Sequence, residues 1–120
     1  MIKLMMLISR RADISLDAFR EHYETIHAPL AAAHLPHLVR YVRNYVVDRF
    51  RDTVNCDCIT EFWFDYPGPW SEARKVLLPP DLLELFAVDE EKFMDRPSMR
   101  VLVVEEGVTP EEQFKGTRSH

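Results

Sequence analysis

Ser15-Leu-Asp-Ala-Phe-Arg-Glu-His-Tyr-Glu-Thr-Ile-His-Ala-Pro-Leu30 is the stretch on which the fold turns. Ser15 suits an N-cap, and Asp17 places a negative charge in the first turn, where the helix dipole favours it. Advancing about 100° per residue from Leu16, Phe19, Tyr23, Ile26 and Leu30 fall on one apolar stripe. His27 lies at the edge of that stripe, and His22 falls off its opposite edge. The spacing predicts one amphipathic helix from about Leu16 to Ala33, ended by Leu35-Pro36. Pro29 cannot donate to the carbonyl of Thr25, and its ring crowds the preceding turn. The helix is therefore expected to bend near His27 and to leave an acceptor free beside a titratable ring.

The flanking segments read outward from that helix. Lys3 to Ile8 is short and apolar, which predicts a strand buried on both faces. Leu38 to Val47 is rich in Val and Tyr and predicts a second strand. Cys58 to Phe64 predicts a third, with Cys58, Thr60, Phe62 and Phe64 on an apolar face and Glu61 between Ile59 and Trp63 on the other. Tyr66-Pro67-Gly68-Pro69 is a turn. Trp70 to Leu78 predicts a short helix starting near Ser71. Pro79-Pro80 breaks it, and helical spacing resumes from Asp81 to Ala87. Asp89 to Asp95 reads as a helical turn or a loop, and Met99 to Val104 as the last strand. The order β-α-β-β-α-β predicts an α+β fold of the ferredoxin-like type, an antiparallel four-stranded sheet with helices on one face. The domain spans residues 1–107, and 108–120 form a polar C-terminal tail. Because the strands are apolar or mixed on both faces, a homodimer through sheet-on-sheet packing is expected.

Composition narrows the function classes. At 120 residues the chain reads as one domain. It is 47% hydrophobic and carries a net charge of -5, from 20 acidic and 15 basic residues. A phosphate-binding surface needs a basic patch. The nearest candidate, Arg40, Arg43, Arg49 and Arg51, is interleaved with Asp48 and Asp52, so no nucleic-acid partner is expected. Cys56 and Cys58, two apart, are poorly placed to bridge each other, and two free thiols fit a reducing cytoplasm. The apolar N-terminal run is too short for a membrane span and lacks a cleavage site, so no membrane association is expected. With three glycines and neither GxGxxG nor a P-loop, no cofactor is expected. His34 and His37 have no carboxylate or thiol spaced with them, and HExxH is absent, so no metal is expected.

Several residues together carry a family resemblance. They are Ser15, Phe19, His22-Tyr23 and His27-Ala28-Pro29-Leu30, then Leu35-Pro36, Tyr41 and Asn44-Tyr45, and later Asp89-Glu90, Phe93 and Asp95. Over about residues 2 to 106 the chain resembles the EthD family of dimeric α+β-barrel proteins. The resemblance implies a homodimer whose two sheets form a barrel, with a ligand in a cleft between helices and sheet. The family takes its name from an ether-degradation gene cluster. Its relatives in aromatic polyketide pathways resemble cofactor-free decarboxylases or dehydratases, and others resemble methylmuconolactone isomerases. The wider superfamily includes cofactor-free monooxygenases, polyketide cyclases and haem-dependent enzymes, so the fold does not fix the reaction. Many members carry a histidine after the last strand; here Gly107 follows Glu106.

The candidate chemistry centres on His27. A histidine in a partly apolar cleft can move a proton near neutral pH, and its alternative role is to cap the carbonyl freed by Pro29. Tyr45 is the second catalytic candidate, as a donor to a substrate carbonyl or oxyanion. Tyr23, Asn44, Glu61 and Asp89 are the expected substrate-binding residues. Glu61 in apolar surroundings would have a raised pKa unless it pairs with Arg43, which is the favoured reading. Asp89 either closes one side of the cleft or caps the turn that carries Phe93, and the run Asp89-Glu90-Glu91 otherwise reads as a solvated helix start. The expectation is a cofactor-free lyase or isomerase acting on a small aromatic, polyketide-like or lactone-like carbonyl compound. The alternatives are a non-catalytic dimeric ligand-binding or accessory protein, and a cofactor-free or haem-dependent monooxygenase. An enzyme predicts an open pocket with His27 and another polar group converging on it.

Overall fold

In a computed structural model that describes residues 1–51 and 54–116, strand β1 (Ile2–Ile8) alternates strictly. Ile2, Leu4, Met6 and Ile8 are buried, while Lys3, Met5 and Leu7 are half-buried. This corrects the expectation of a strand buried on both faces. Helices cover one face of β1, and among the described residues nothing covers the other.

The remaining strands are β2 (Leu38–Tyr45), β3 (Cys58–Phe64) and β4 (Arg100–Val104). They pair antiparallel in the order β2-β3-β1-β4. β1 and β3 are therefore the interior strands, and β2 and β4 the edges. This is the ferredoxin-like arrangement, and its interior strands carry the fully buried Ile8, Cys58, Thr60 and Phe64. β2 stops at Tyr45, two residues short of the expected end, and Val47 is exposed.

Helix α1 (Leu16–His22) starts as the sequence dictates, with Ser15 Oγ accepting from the Ala18 N–H at 3.0 Å. The helical path continues through a π-helical segment, Tyr23–His27, into α2 (Ala28–His34). The predicted bend at Pro29 thus takes the form of a widened turn, in which Ala28 N–H reaches back five residues to the Tyr23 carbonyl. The widened turn changes which side chains face the sheet. Phe19 and Tyr23 are buried as the α-helical stripe requires, but Ile26 is 50% exposed, and His27, Ala28 and Ala31 are buried instead. One extra residue per turn rotates everything after Tyr23, moving Ile26 out and His27 in.

Pro79-Pro80 separates α3 (Trp70–Leu77) from α4 (Pro80–Glu90). Pro80 opens α4, where its missing N–H costs nothing. This helix runs three residues beyond the expected Ala87 and takes Asp89 and Glu90 into its last turn. Both are buried, which overturns the reading of 89–91 as a solvated helix start. The chain after α4 is tied to the loop following β1: Arg11 N–H donates to the Phe93 carbonyl at 2.9 Å, and Asp95 N–H to the Ser9 carbonyl at 2.9 Å. Phe93 is thereby fixed beneath α1 among Phe19, Tyr23, Ile8 and Met94. A second apolar cluster joins Leu4, Phe64, Ala31, Leu35, Ala73, Leu77 and Phe86. The expected polar tail runs without regular structure from Glu105 to Gly116, apart from a short helical turn at Glu111–Gln113. Asp52 and residues 117–120 lie outside the described residues.

Candidate functional site

The π-helical segment brings together two histidines that an α-helix would hold apart. Five residues on a regular helix advance about 140° beyond a full turn, so His22 and His27 would diverge. In the widened turn both reach Asp89 at the end of α4. His27 Nδ1 lies 2.8 Å from Asp89 Oδ2, and His22 Nε2 lies 3.1 Å from each carboxylate oxygen. His27 is 3% exposed and Asp89 5%. The His22 ring stacks on Phe93 at 4.4 Å, and His27 packs against Phe93, Tyr23 and Phe86. The widened turn is itself held from the sheet side. Tyr23 Oη is 2.7 Å from Thr60 Oγ1, and Glu24 is gripped by Arg43 and Tyr45. Thr25 is exposed at the crest of the turn, its hydroxyl bonded back to the Glu21 carbonyl.

A deletion tests this arrangement. Removing Thr25 leaves His22 and His27 four apart, on one face of an ordinary α-helix, and removes no core side chain. The shortened protein is expected to fold with both histidine–Asp89 contacts in place, read from imidazole proton shifts by NMR. Loss of the fold would show that the widened turn is needed for more than register.

The electrostatics define the state of the dyad. Burial of Asp89 pushes its carboxyl up, but hydrogen bonds from His27 and His22 outweigh that and hold it below the ordinary carboxylate value of 3.8. Burial dominates at His27 and lowers its pKa below 6.5, against the opposing pull of Asp89 and Glu90. Near neutral pH the pair is therefore a carboxylate and a neutral imidazole. An ionised carboxylate only accepts, so Nδ1 carries the proton and Nε2 carries the lone pair. This replaces the expected capping role for His27, because its ring binds Asp89 and not a carbonyl freed by Pro29.

His27 lines a cavity of about 220 Å³ between helices and sheet. Leu4, Met6, Phe62, Phe64, Phe86 and Val101 supply much of its apolar wall. Glu90 and Arg96 are the other charged side chains on it, joined by an Arg96 Nε–Glu90 Oε1 contact of 3.2 Å. Arg96 did not stand out in the sequence, and Glu90 did so only as part of the late acidic segment, not as a cavity residue. An acidic run on a helix end resembles solvated surface, and only the docking of Phe93 and Met94 buries it.

The other sequence candidates lie elsewhere. Tyr45 faces the helices but is not on the cavity wall; its hydroxyl donates to Glu24 Oε2 at 2.5 Å, and Arg20 covers its ring. Tyr23 is fully buried with its hydroxyl committed to Thr60. Asn44 and Glu61 sit on the open face of the sheet, opposite the helices, where Asn44 Nδ2 donates to Glu61 Oε2 at 2.9 Å. Glu61 pairs with Lys3 at 3.1 Å, and Arg43 pairs with Glu24 instead. The Asn44 hydrogen bond, followed by that from Lys3, lowers the Glu61 pKa; Glu61 is ion-paired as favoured, but with Lys3 in place of Arg43. Of the six sequence candidates, only His27 lies on the cavity wall, with Asp89 hydrogen-bonded behind it, while Asn44 and Glu61 meet on the opposite face. His22, expected at the helix edge, joins His27 at Asp89. Among the described residues no group of histidine, cysteine or carboxylate side chains is placed to hold a metal ion, and Cys56 and Cys58 are free and buried.

Residues 11–97 match the EthD domain family. An EthD family protein from Bacillus halodurans superposes with a TM-score of 0.65 at 20% identity, over 89% of this chain and 100% of its own. A protein from Arabidopsis thaliana gives a TM-score of 0.63 at 14% identity, over 92% and 99% of the two chains. A provisionally assigned antibiotic biosynthesis monooxygenase from Deinococcus radiodurans gives 0.52 at 12% identity, over 92% and 97%. At these identities the likeness is one of fold. No curated protein matches the sequence.

Proposed function

The chain belongs to the EthD family, its domain spanning residues 11–97, and on that premise we propose a cofactor-free acid–base enzyme. It is a lyase or isomerase acting on a small aromatic, polyketide-like or lactone-like carbonyl compound held between helices and sheet. The observation that carries this reading is His27 on the wall of an apolar cavity, hydrogen-bonded to the buried Asp89 behind it. With Nδ1 committed to Asp89, Nε2 is the ring nitrogen left for a ligand. It takes a proton from a C–H or O–H made acidic by the neighbouring carbonyl. Asp89 then stabilises the imidazolium, whose proton exchanges with solvent, and a proton is returned to a carbon or to a departing hydroxyl. Such positioned proton transfer contributes about 10²–10⁴-fold in rate. Tyr45 and Asn44 have no part in this scheme; the polar groups beside His27 are Glu90 and Arg96.

The test is incubation of the purified protein with hydroxybenzoic acids and unsaturated lactones in deuterated water, followed by NMR. Product formation or deuterium uptake at a carbon next to the carbonyl supports the reading. Absence of both across the two series sinks it. Oxygen consumption in place of exchange reassigns the protein to oxygenation.

The second copy belongs to the same proposal. Met5, Leu7, Val42, Ile59, Trp63 and Leu102 share the open sheet face, and Leu102 is 53% exposed. A homodimer packed sheet on sheet covers them, and sedimentation equilibrium of a stable monomer at micromolar concentration would refute it. Its compartment is a reducing one, such as the cytoplasm, in keeping with two unpaired thiols. Among the described residues no helix is long and apolar enough to cross a membrane.

A further inference from the structure

We propose that the ligand of the cavity is a single-ring carboxylic acid whose carboxylate is anchored by Arg96. The inference rests on the reading of this cavity as the functional site, and it adds the size and the charge of what enters.

Size comes from the volume. A cavity of about 150 Å³ lined by aliphatic and aromatic side chains accommodates benzene. The cavity here is about 220 Å³, which encloses one ring and a few substituent atoms. Its wall is apolar on the sheet side, from Leu4, Met6, Phe62 and Phe64, and on the helix side, from Phe86. An aromatic or unsaturated ring satisfies that wall without stranding polar groups.

Charge comes from Arg96. Apart from His27 it is the one basic side chain on the wall among the described residues, and its side chain is 38% exposed. It also borders an outer polar groove formed with Arg10, Arg11, Asp13, Glu91 and Asp95. Arg96 therefore stands where an apolar chamber meets a hydrated, charged surface. A ring acid has the same two-ended character. The guanidinium is aimed by Glu90, whose side chain is 9% exposed and whose Oε1 holds Nε at 3.2 Å. Nη1 has only a 3.8 Å approach from the exposed Glu91, and Nη2 has no partner among the described residues. A guanidinium offers five N–H donors in a fixed fork and binds carboxylates in pairs of parallel bonds. Were Arg96 present only to neutralise Glu90, a lysine would serve. The planar fork, gripped at Nε with its outer edge left open, is the arrangement that receives a second carboxylate.

Benzoate and its neutral isostere benzamide are the probes, titrated into the full-length protein and followed by saturation-transfer NMR and calorimetry. Wild type is expected to bind benzoate at least tenfold more tightly than benzamide. Arg96→Gln is expected to abolish that preference while leaving benzamide affinity within about twofold. The double variant Glu90→Gln/Arg96→Gln leaves no buried carboxylate unpaired, guards against misfolding, and is expected to behave as Arg96→Gln does. Arg96→Lys keeps the charge without the fork and is expected to retain only part of the preference. Equal binding of the two probes, or a preference that survives in Arg96→Gln and the double variant, overturns the anchor. Failure of both probes to bind at millimolar concentration overturns the single-ring assignment. These readouts involve no turnover. An intact benzoate preference beside an inactive acid–base centre refutes the catalytic reading alone, and turnover without any benzoate preference refutes the anchor alone.

Discussion

Replacement of His27 by alanine is expected to lower turnover by about 10²–10⁴-fold, the usual worth of a positioned proton carrier. The substitution removes the ring nitrogen available to the ligand and leaves Asp89 bonded to His22. The carboxylate is therefore not stranded, and the fold is expected to persist by circular dichroism. The vacated space adjoins the cavity, so added imidazole is expected to restore part of the rate. If an active substrate turns over in His27→Ala at the wild-type rate, the acid–base assignment fails. A loss confined to KM would instead make His27 a binding residue.

Asp89 is expected to give the larger effect on stability. It accepts from both histidines in a buried setting. Asp89→Asn keeps the shape but replaces an acceptor-only group with an amide. The amide donates to His27 Nδ1 and drives the ring proton to Nε2, where the lone pair is needed. The same change in a serine protease triad lowers kcat about 10⁴-fold through the wrong tautomer, and a loss on the order of 10²–10⁴ is expected here. Two hydrogen bonds to a charged acceptor also weaken, costing about 3 kcal/mol, or roughly 10 °C in Tm. A variant with unchanged melting temperature and rate would remove Asp89 from the site.

The pH dependence has a definite sign. Both Asp89 and His27 have folded pKa values below their ordinary ones. For a group so depressed, the unfolded chain takes up a proton first, and stability falls as pH drops. The contribution is complete above the unfolded value and lost on passing down through the folded one. Melting temperature is thus expected to be level above about pH 7, to decline below about 6.5 as unfolded His27 protonates, and to fall again below about 4 from Asp89. In Asp89→Asn the second decline shrinks. A Tm that rises on acidification from pH 7 to 5 would contradict the buried neutral imidazole.

Much of the frame was legible in the chain itself. The strand limits of β3, the Ser15 cap and the break at Pro79-Pro80 follow from local rules, namely period-two alternation, a side-chain acceptor and a missing N–H. The bend near His27 was legible too, because Pro29 cannot donate. What failed was the phase beyond it. Counting 100° per residue buries Ile26 and leaves His27 at an edge, whereas the widened turn exposes Ile26 and buries His27. The five-residue spacing of His22 and His27, joined to a proline two residues on, was the available signal, and it was read on the wrong helix.

Asn44, Glu61 and Tyr45 show a second limit. Alternation along β2 and β3 sorts residues into two faces, but it does not say which side chains on either face are used up by neighbours. Tyr45 is committed to Glu24, and Glu61 to Lys3 and Asn44. Such pairings join residues about twenty or more apart in the chain, on neighbouring strands or between a strand and the first helix.

The sequence by itself determined the order of elements, the antiparallel four-stranded sheet and the bend in the first helix near His27. The tertiary structure alone decided that the helix slips to a π-turn, that His22 and His27 share Asp89, and that Glu90 and Arg96 reach the same cavity. The physical reason is that a slip between i−4 and i−5 bonding is nearly neutral locally. It is selected by distant partners, Thr60 on Tyr23, Arg43 on Glu24 and Asp89 on His27, none of which local periodicity can register.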